Sequence, residues 1–228
     1  LLSWGSYGTG AGAFRYPMGI TIDQSDNIYV VDSSNHRIQK FSTTGVHLQT
    51  IGAGQLNGPR YVAVDGAGTL FVSEYYRHQV SKFGADGTLL TRWGSRGSGA
   101  GEFKNPRGIS IDSSGYLYVA DTVNHRIQKF DSDGNYITRF GGYGSSPGSM
   151  IYPADVAVGE EGGYLYVMDR QNDRVQRFLL ADLPNTLNTE MSGVKLDQLH
   201  SHLLLWGSWG SGDGQFNHPY GLTVFNNP

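Results

Sequence analysis

A ten-residue phrase occurs four times in this chain: Asp32-Ser-Ser-Asn-His-Arg-Ile-Gln-Lys-Phe41, Glu74-Tyr-Tyr-Arg-His-Gln-Val-Ser-Lys-Phe83, Asp121-Thr-Val-Asn-His-Arg-Ile-Gln-Lys-Phe130 and Asp169-Arg-Gln-Asn-Asp-Arg-Val-Gln-Arg-Phe178. Tandem self-similarity restricts a chain to folds that stack one unit against the next. The closing aromatics are 42, 47 and 48 residues apart, a period that suits a four-stranded propeller blade better than the shorter helical or leucine-rich repeats.

A proline opens each unit, at Pro17, Pro59, Pro106, Pro153 and Pro219, with spacings of 42, 47, 47 and 66. The 42-residue interval reflects a trimmed connection before Pro59. The 66-residue interval holds one extra residue near Glu160 to Gly163 and 18 extra residues between Phe178 and Trp206. Between these anchors, short runs rich in Val, Ile, Tyr and Phe alternate with Gly, Asn, Asp and Ser clusters, the pattern of strands joined by hairpin turns. In the third unit the strands are read as Gly108–Asp112, Tyr116–Ala120, Arg126–Phe130 and Tyr136–Phe140.

The predicted fold is an all-β propeller of four-stranded antiparallel blades. Residues 1–228 form one propeller domain with blade junctions near 17, 59, 106, 153 and 219. Four blades are complete. Leu1 to Gly5 reads as the last strand of a further blade and Pro219 to Phe225 as the first strand of another, so the termini supply two partial blades. Extending the period, five closed blades need roughly 21 further residues and six need roughly 68, so the chain is expected to be part of a longer, six-bladed parent. Residues 179–202 are an insertion in the fourth blade. It reads either as a tolerated surface excursion, since loop lengthening costs only about 0.6 kcal/mol per doubling, or as a docking element built on Leu196 and Leu199.

The motif Gly-x-Phe-x-x-Pro-x-Gly-Ile-x-Ile-Asp at Gly12 to Asp23, the tract Tyr-Val-x-Asp-x-x-Asn-His-Arg-Ile-Gln-Lys-Phe and the closing aromatic-Gly pair resemble NHL repeats. The resemblance covers essentially the whole chain outside the insertion. It implies a propeller, usually six-bladed, and spans several activities: sensor domains of bacterial receptor kinases, propellers of tripartite-motif ubiquitin ligases and peptidyl-hydroxyglycine amidating lyases.

A blade buries both faces of its sheet, so a polar residue needed once per blade serves the blade. Asp32 with Arg37, Asp121 with Arg126 and Asp169 with Arg174 flank one tight turn, where carboxylate and guanidinium are expected to pair bidentately. Asn35, Asn124 and Asn172 suit that turn through hydrogen bonds to the backbone. The second unit departs from this, with Glu74, Arg77 and Gln79, and adds Tyr75 and Tyr76.

Net charge is −3, so no global field draws nucleic acid. The absence of cysteine excludes disulfides, thiolate catalysis and cysteine-ligated zinc. No run reaches the ~18 apolar residues of a membrane span. A surface low in charge and rich in Gly, Ser, Asn and Tyr leans toward an extracellular or cell-surface setting. Gly144-Ser-Ser-Pro-Gly148 matches a nucleophile elbow in letters but falls in an inter-blade loop rather than a strand–turn–helix junction. Asp131-Ser-Asp-Gly-Asn135 begins like a calcium loop but lacks its distal ligands. His36, His78 and His125 recur at one blade position, which spreads them over separate blades, too far apart to share a metal. No catalytic residue, metal ligand or cofactor is assigned, and the lyases' zinc-histidine and Arg/Tyr sets find no matching positions.

The long connections and the Asp-x-x-Asn turns emerge on one side of the ring. There the residue after each proline varies: Met18, Arg60, Arg107, Ala154 and Tyr220. With Arg15, Tyr16, Tyr61, Tyr75, Tyr76, Tyr152 and Arg170, these form an aromatic and arginine set of the type enriched in binding hot spots. The expected function is a non-catalytic propeller that recognises a protein, peptide or glycan through this face. A metal-dependent lyase or lactonase and an RNA-binding propeller are the alternatives.

Overall fold

The computed structural model describes residues 1–159, 163–183, 204–206, 215, 219 and 221. After a two-residue parallel pair, β1 (Ser6–Tyr7) with β2 (Ala13–Phe14), four antiparallel four-stranded sheets follow in chain order. The first blade is β3 (Pro17–Ile22), β4 (Ile28–Asp32), β5 (Arg37–Phe41) and β6 (His47–Ile51). The second is β7 (Pro59–Val64), β8 (Leu70–Glu74), β9 (Gln79–Phe83) and β10 (Leu89–Trp93). The third is β11 (Ile109–Ile111), β12 (Leu117–Asp121), β13 (Arg126–Phe130) and β14 (Tyr136–Gly141), and the fourth is β15 (Pro153–Gly159), β16 (Tyr164–Asp169), β17 (Arg174–Leu179) and β18 (Leu204–Trp206). Each blade is a plain meander, as hairpin-length turns require, and the four form a β-propeller.

Side chains along a strand point alternately to its two faces, and in a blade each face meets a different neighbour. In β8, Leu70 and Val72 pack back onto Tyr29, Val31 and Ile38 of the first blade, while Phe71 packs forward with Ile109, Leu117 and Val119 of the third. Tyr118, Ala120 and Ile127 repeat the arrangement against Val156, Leu165 and Val167 of the fourth. Second strands therefore read as continuous apolar runs, and β8 and β12 are buried throughout.

The inner strands approach closely where the sequence has glycine two residues after the proline. A Cβ on Gly19 would lie 2.9 Å from the Tyr61 Cα, and one on Gly108 would lie 2.4 Å from the Asp155 Cα. Glycine in one blade makes room for the larger residue at the same position of the next blade.

The first blade differs from the others in exposure. The residue three after the proline is Val62, Ile109 or Val156 in the later blades, 5%, 5% and 3% exposed, whereas Ile20 is 59% exposed. That side chain points toward the preceding blade, and the described residues place none there. Leu1 to Gly5, expected as a strand, is coil, because residues 1–5 have no ladder partner among the described residues. Trp4 nevertheless takes a last-strand tryptophan's place. Its ring lies 6.1 Å from Phe41 at 49° and stacks over Gly45, as Trp93 lies 6.1 Å from Phe130 at 50° and stacks over Gly134.

The insertion separates β17 from β18, which pair as an antiparallel hairpin with Val175 opposite Trp206. Its first residues form a 3₁₀ turn, Leu180–Asp182, and Leu183 is buried in the core between the third and fourth blades. Leu196 and Leu199 lie outside the described residues, as does most of the expected strand from Pro219 to Phe225. Among the described residues no helix is long and apolar enough to cross a membrane.

Candidate recognition face

Each repeated phrase folds as a strand end, a 3₁₀ turn (Ser33–Asn35, Thr122–Asn124, Arg170–Asn172) and a strand start. The residue after the turn, His36, His125 or Asp173, is left-handed. Asp32, Asp121 and Asp169 are buried at the hub. Oδ1 accepts the backbone N–H of Arg15, Lys104 or Ile151 in the long connection, each at 2.7 Å. Oδ2 accepts Arg37, Arg126 or Arg174 Nε at 2.7 Å, together with the turn Asn and the Gln two residues beyond the Arg.

The ion pair is thus not bidentate. The remaining guanidinium nitrogens turn to carbonyls of the long connection: Gly10 and Ala13 for Arg37, Ser98, Gly99 and Glu102 for Arg126, and Ser145, Ser146 and Ser149 for Arg174. This network ties turns and connections together on one side of the ring. It also engages Ser145 and Ser146 of the elbow-like motif through their carbonyls. At the Asp131–Asn135 turn, Asp131 accepts the N–H groups of Asp133 and Asn135.

In the second blade the longer Glu74 takes the hub. It accepts Asn57 N–H at 2.7 Å, Gln79 Nε2 at 3.1 Å, Arg77 Nη1 at 3.3 Å and the Ser81 hydroxyl, with Arg92 Nε at 3.6 Å. The hub survives with different donors.

The repeated histidines have a role that their recurrence in the sequence did not reveal. Gly58 N–H donates to His36 Nδ1 at 2.9 Å, Asn105 N–H to His78 Nδ1 at 3.0 Å and Tyr152 N–H to His125 Nδ1 at 3.1 Å. Each imidazole thereby holds the pre-proline residue of the next blade, which itself sits at positive φ (63°, 54° and 52°). An accepting Nδ1 requires the neutral ring with its proton on Nε2. Burial holds His78 and His125 below the ordinary histidine pKa, with nearby Arg96 adding to the effect on His78. Among the described residues no three His, Asp or Glu side chains come together as a metal cluster.

The inner strands enclose a channel of about 1390 Å³, whose walls on the loop side include Tyr16, Met18, Arg60, Tyr61, Tyr76 and Arg107. Six of the expected face residues therefore meet at its mouth. Tyr75 stands just behind, with the Arg60 guanidinium 4.6 Å and the Arg107 guanidinium 5.6 Å from its ring, and Tyr76 packs edge-on to it at 5.2 Å. Arg15 is displaced outward, 5.2 Å over the Tyr7 ring. Tyr152 packs on His125 at 4.6 Å and, like Arg170, is not part of the channel wall. Tyr220 lies outside the described residues.

Asp155, which the sequence reading passed over, is buried in the channel wall. The signal was present: the position two after the proline is Gly19, Gly108 and Gly221 in three units but Tyr61 and Asp155 in the others. Burial, and then Asp155, raises the Tyr61 phenol well above its ordinary pKa against the pull of Arg107 and Arg60, so Tyr61 is a neutral donor at physiological pH.

The NHL repeat family model matches residues 14–41 and 103–130, and the chain carries NHL repeats on a β-propeller. No curated protein matches it. Among solved structures, a streptogramin B lyase superposes with a TM-score of 0.59 at 18% identity, over 74% of this chain and 53% of that one. Hydrazine synthase from Kuenenia stuttgartiensis gives 0.58 at 18% identity, over 77% and 50%. A chain of a nidogen–laminin complex gives 0.50 at 22% identity, over 75% and 78%. The chain spans about half the length of the first two. These likenesses show the fold alone.

Proposed function

We propose that this protein is a non-catalytic recognition propeller that binds a protein, peptide or glycan partner at the mouth of its channel. The carrying observation is a division of labour among polar groups. The repeated Asp, Arg, Asn, Gln and His residues are each engaged inside the blade or with the next one. Residues that vary from blade to blade, Tyr16, Met18, Arg60, Tyr75, Tyr76 and Arg107, gather at the channel mouth. Tyrosine and arginine offer large contact area with few rotatable bonds and dominate binding hot spots. Tyr76 is 58% exposed with both neighbouring blades in place, and Tyr16 is 67% exposed on the first blade, where no preceding blade lies among the described residues.

The reading is tested by probing the immobilised chain with a glycan array and a random peptide library, followed by titration of the best ligand. A double Tyr16→Ala, Tyr76→Ala variant is expected to bind that ligand at least ~10-fold more weakly, the loss of about 1.4 kcal/mol, with unchanged thermal stability. Ligands that bind equally well to the double variant, or metal-dependent turnover of a bound molecule, would contradict it.

A further inference from the structure

Arg60 is an arginine whose position the scaffold does not account for. Arg37, Arg126 and Arg174 each place Nε 2.7 Å from a buried carboxylate. Arg60 Nε is equally shut off from solvent, yet it has no hydrogen-bond partner among the described residues; Arg177 Nε, beneath Tyr164, shares that state, but of the two only Arg60 lines the channel. What holds the side chain is aromatic: the guanidinium lies 4.6 Å from the Tyr75 ring centre and 5.9 Å from that of Tyr76.

An unpaired donor on a partly desolvated cation is unfavourable. Aromatic faces attract the cation without neutralising it. Stacking covers the flat face of a guanidinium and leaves its terminal Nη1/Nη2 edge, a rigid fork that matches a planar carboxylate in two parallel hydrogen bonds. Among the described channel-wall residues the charged side chains are Arg60, Arg107 and Asp155, two cations and one anion, leaving one net positive charge. That balance accommodates a single carboxylate. It does not suit a polyanion, which the chain's overall charge of −3 repels.

We propose that Arg60, backed by Tyr75 and Tyr76, is a carboxylate-binding site at the channel mouth, and that the partner presents an acidic peptide side chain or chain terminus to it. The assignment rests on the face being a recognition surface and narrows the ligand class.

The test is a titration of the 228-residue protein with sodium glutarate at constant ionic strength, following the arginine Nε–H resonances by NMR. One resonance, identified by its loss in Arg60→Lys, is expected to shift saturably with glutarate in the millimolar range, at least ~10-fold more weakly in Tyr75→Leu. Inorganic phosphate and an oligouridylate are run as separate arms. A saturable shift with either of these but not with glutarate would overturn the carboxylate assignment, and no saturable shift with any probe would overturn the site. The outcomes separate from those of the wider reading. A neutral glycan bound through Tyr76 with no response at Arg60 keeps the recognition face and rejects the carboxylate site. Glutarate binding at Arg60 with no peptide or glycan captured keeps the site and rejects the face.

Discussion

At the scale of single residues, one buried carboxylate organises each blade. Asp121 is closed to solvent and faces Arg126, whose side chain is 8% exposed, with Asn124, Gln128 and a backbone N–H on its remaining lone pairs. Removing it strands a buried cation, so Asp121→Ala is expected to cost about 3–5 kcal/mol in urea unfolding. Glu74→Ala should cost less, about 2 kcal/mol, because Arg77 and Arg92 are 36% and 30% exposed and can turn to water. Equal losses would show that the second hub is held as tightly as the third. The sequence made the Asp–Arg pair legible through its fixed spacing of five. It could not show that the arginine divides itself between the carboxylate and the carbonyls of a distant loop, because those acceptors are backbone and carry no residue signature.

At the scale of elements, joints between blades rest on groups that look unremarkable in the chain. The histidine clamp needs the neutral imidazole. With folded pKa values below the ordinary 6.5 at His78 and His125, the unfolded chain binds more protons in the interval between the two, so stability rises with pH there. Stability is complete above about pH 6.5 and declines as pH falls through the lowered folded values. A His78→Gln, His125→Gln variant keeps a side-chain acceptor and does not titrate. Thermal midpoints measured from pH 7.5 down to 5 should fall for the unsubstituted protein and flatten for the variant, and parallel curves would remove the clamp from the account. Glycine spacing is a second joint. Gly108→Ala would drive a Cβ to 2.4 Å from the Asp155 backbone and should cost about 1–3 kcal/mol of overpacking. The repeat showed a glycine two residues after the proline in three units but not its partner, since close approach between blades joins Gly19 to Tyr61 and Gly108 to Asp155, residues 42 and 47 positions apart.

For the whole molecule, the repeated design fixes most of what can be read. Strand number, meander order and the side on which the loops gather all follow from a period and two anchors. What the repeat hides is any difference between identical letters in different surroundings. Ile20 and Ile109 occupy the same position of the motif, but Ile20 is 59% exposed and Ile109 5%. Ile20→Thr should therefore change stability by no more than about 0.5 kcal/mol, whereas Ile109→Thr should cost about 2 kcal/mol. The same reasoning applies to the channel mouth. Sequence variation drew attention to Arg60, Tyr75, Tyr76 and Arg107, but it also included Arg15, Tyr152 and Arg170, which the fold places away from the channel wall, and it missed Asp155 within it.

Arginines of the repeated phrase hold the scaffold, while Arg60 at the channel mouth does not. Equilibrium urea unfolding of Arg126→Met and Arg60→Met compares the same substitution at both kinds of position. Arg126→Met should lose about 3 kcal/mol or more, the cost of leaving Asp121 buried and unpaired. Arg60→Met should stay within about 1 kcal/mol of the unsubstituted protein, because a modest cation–π attraction is all it removes. Comparable losses at the two sites would contradict the division between scaffold and recognition.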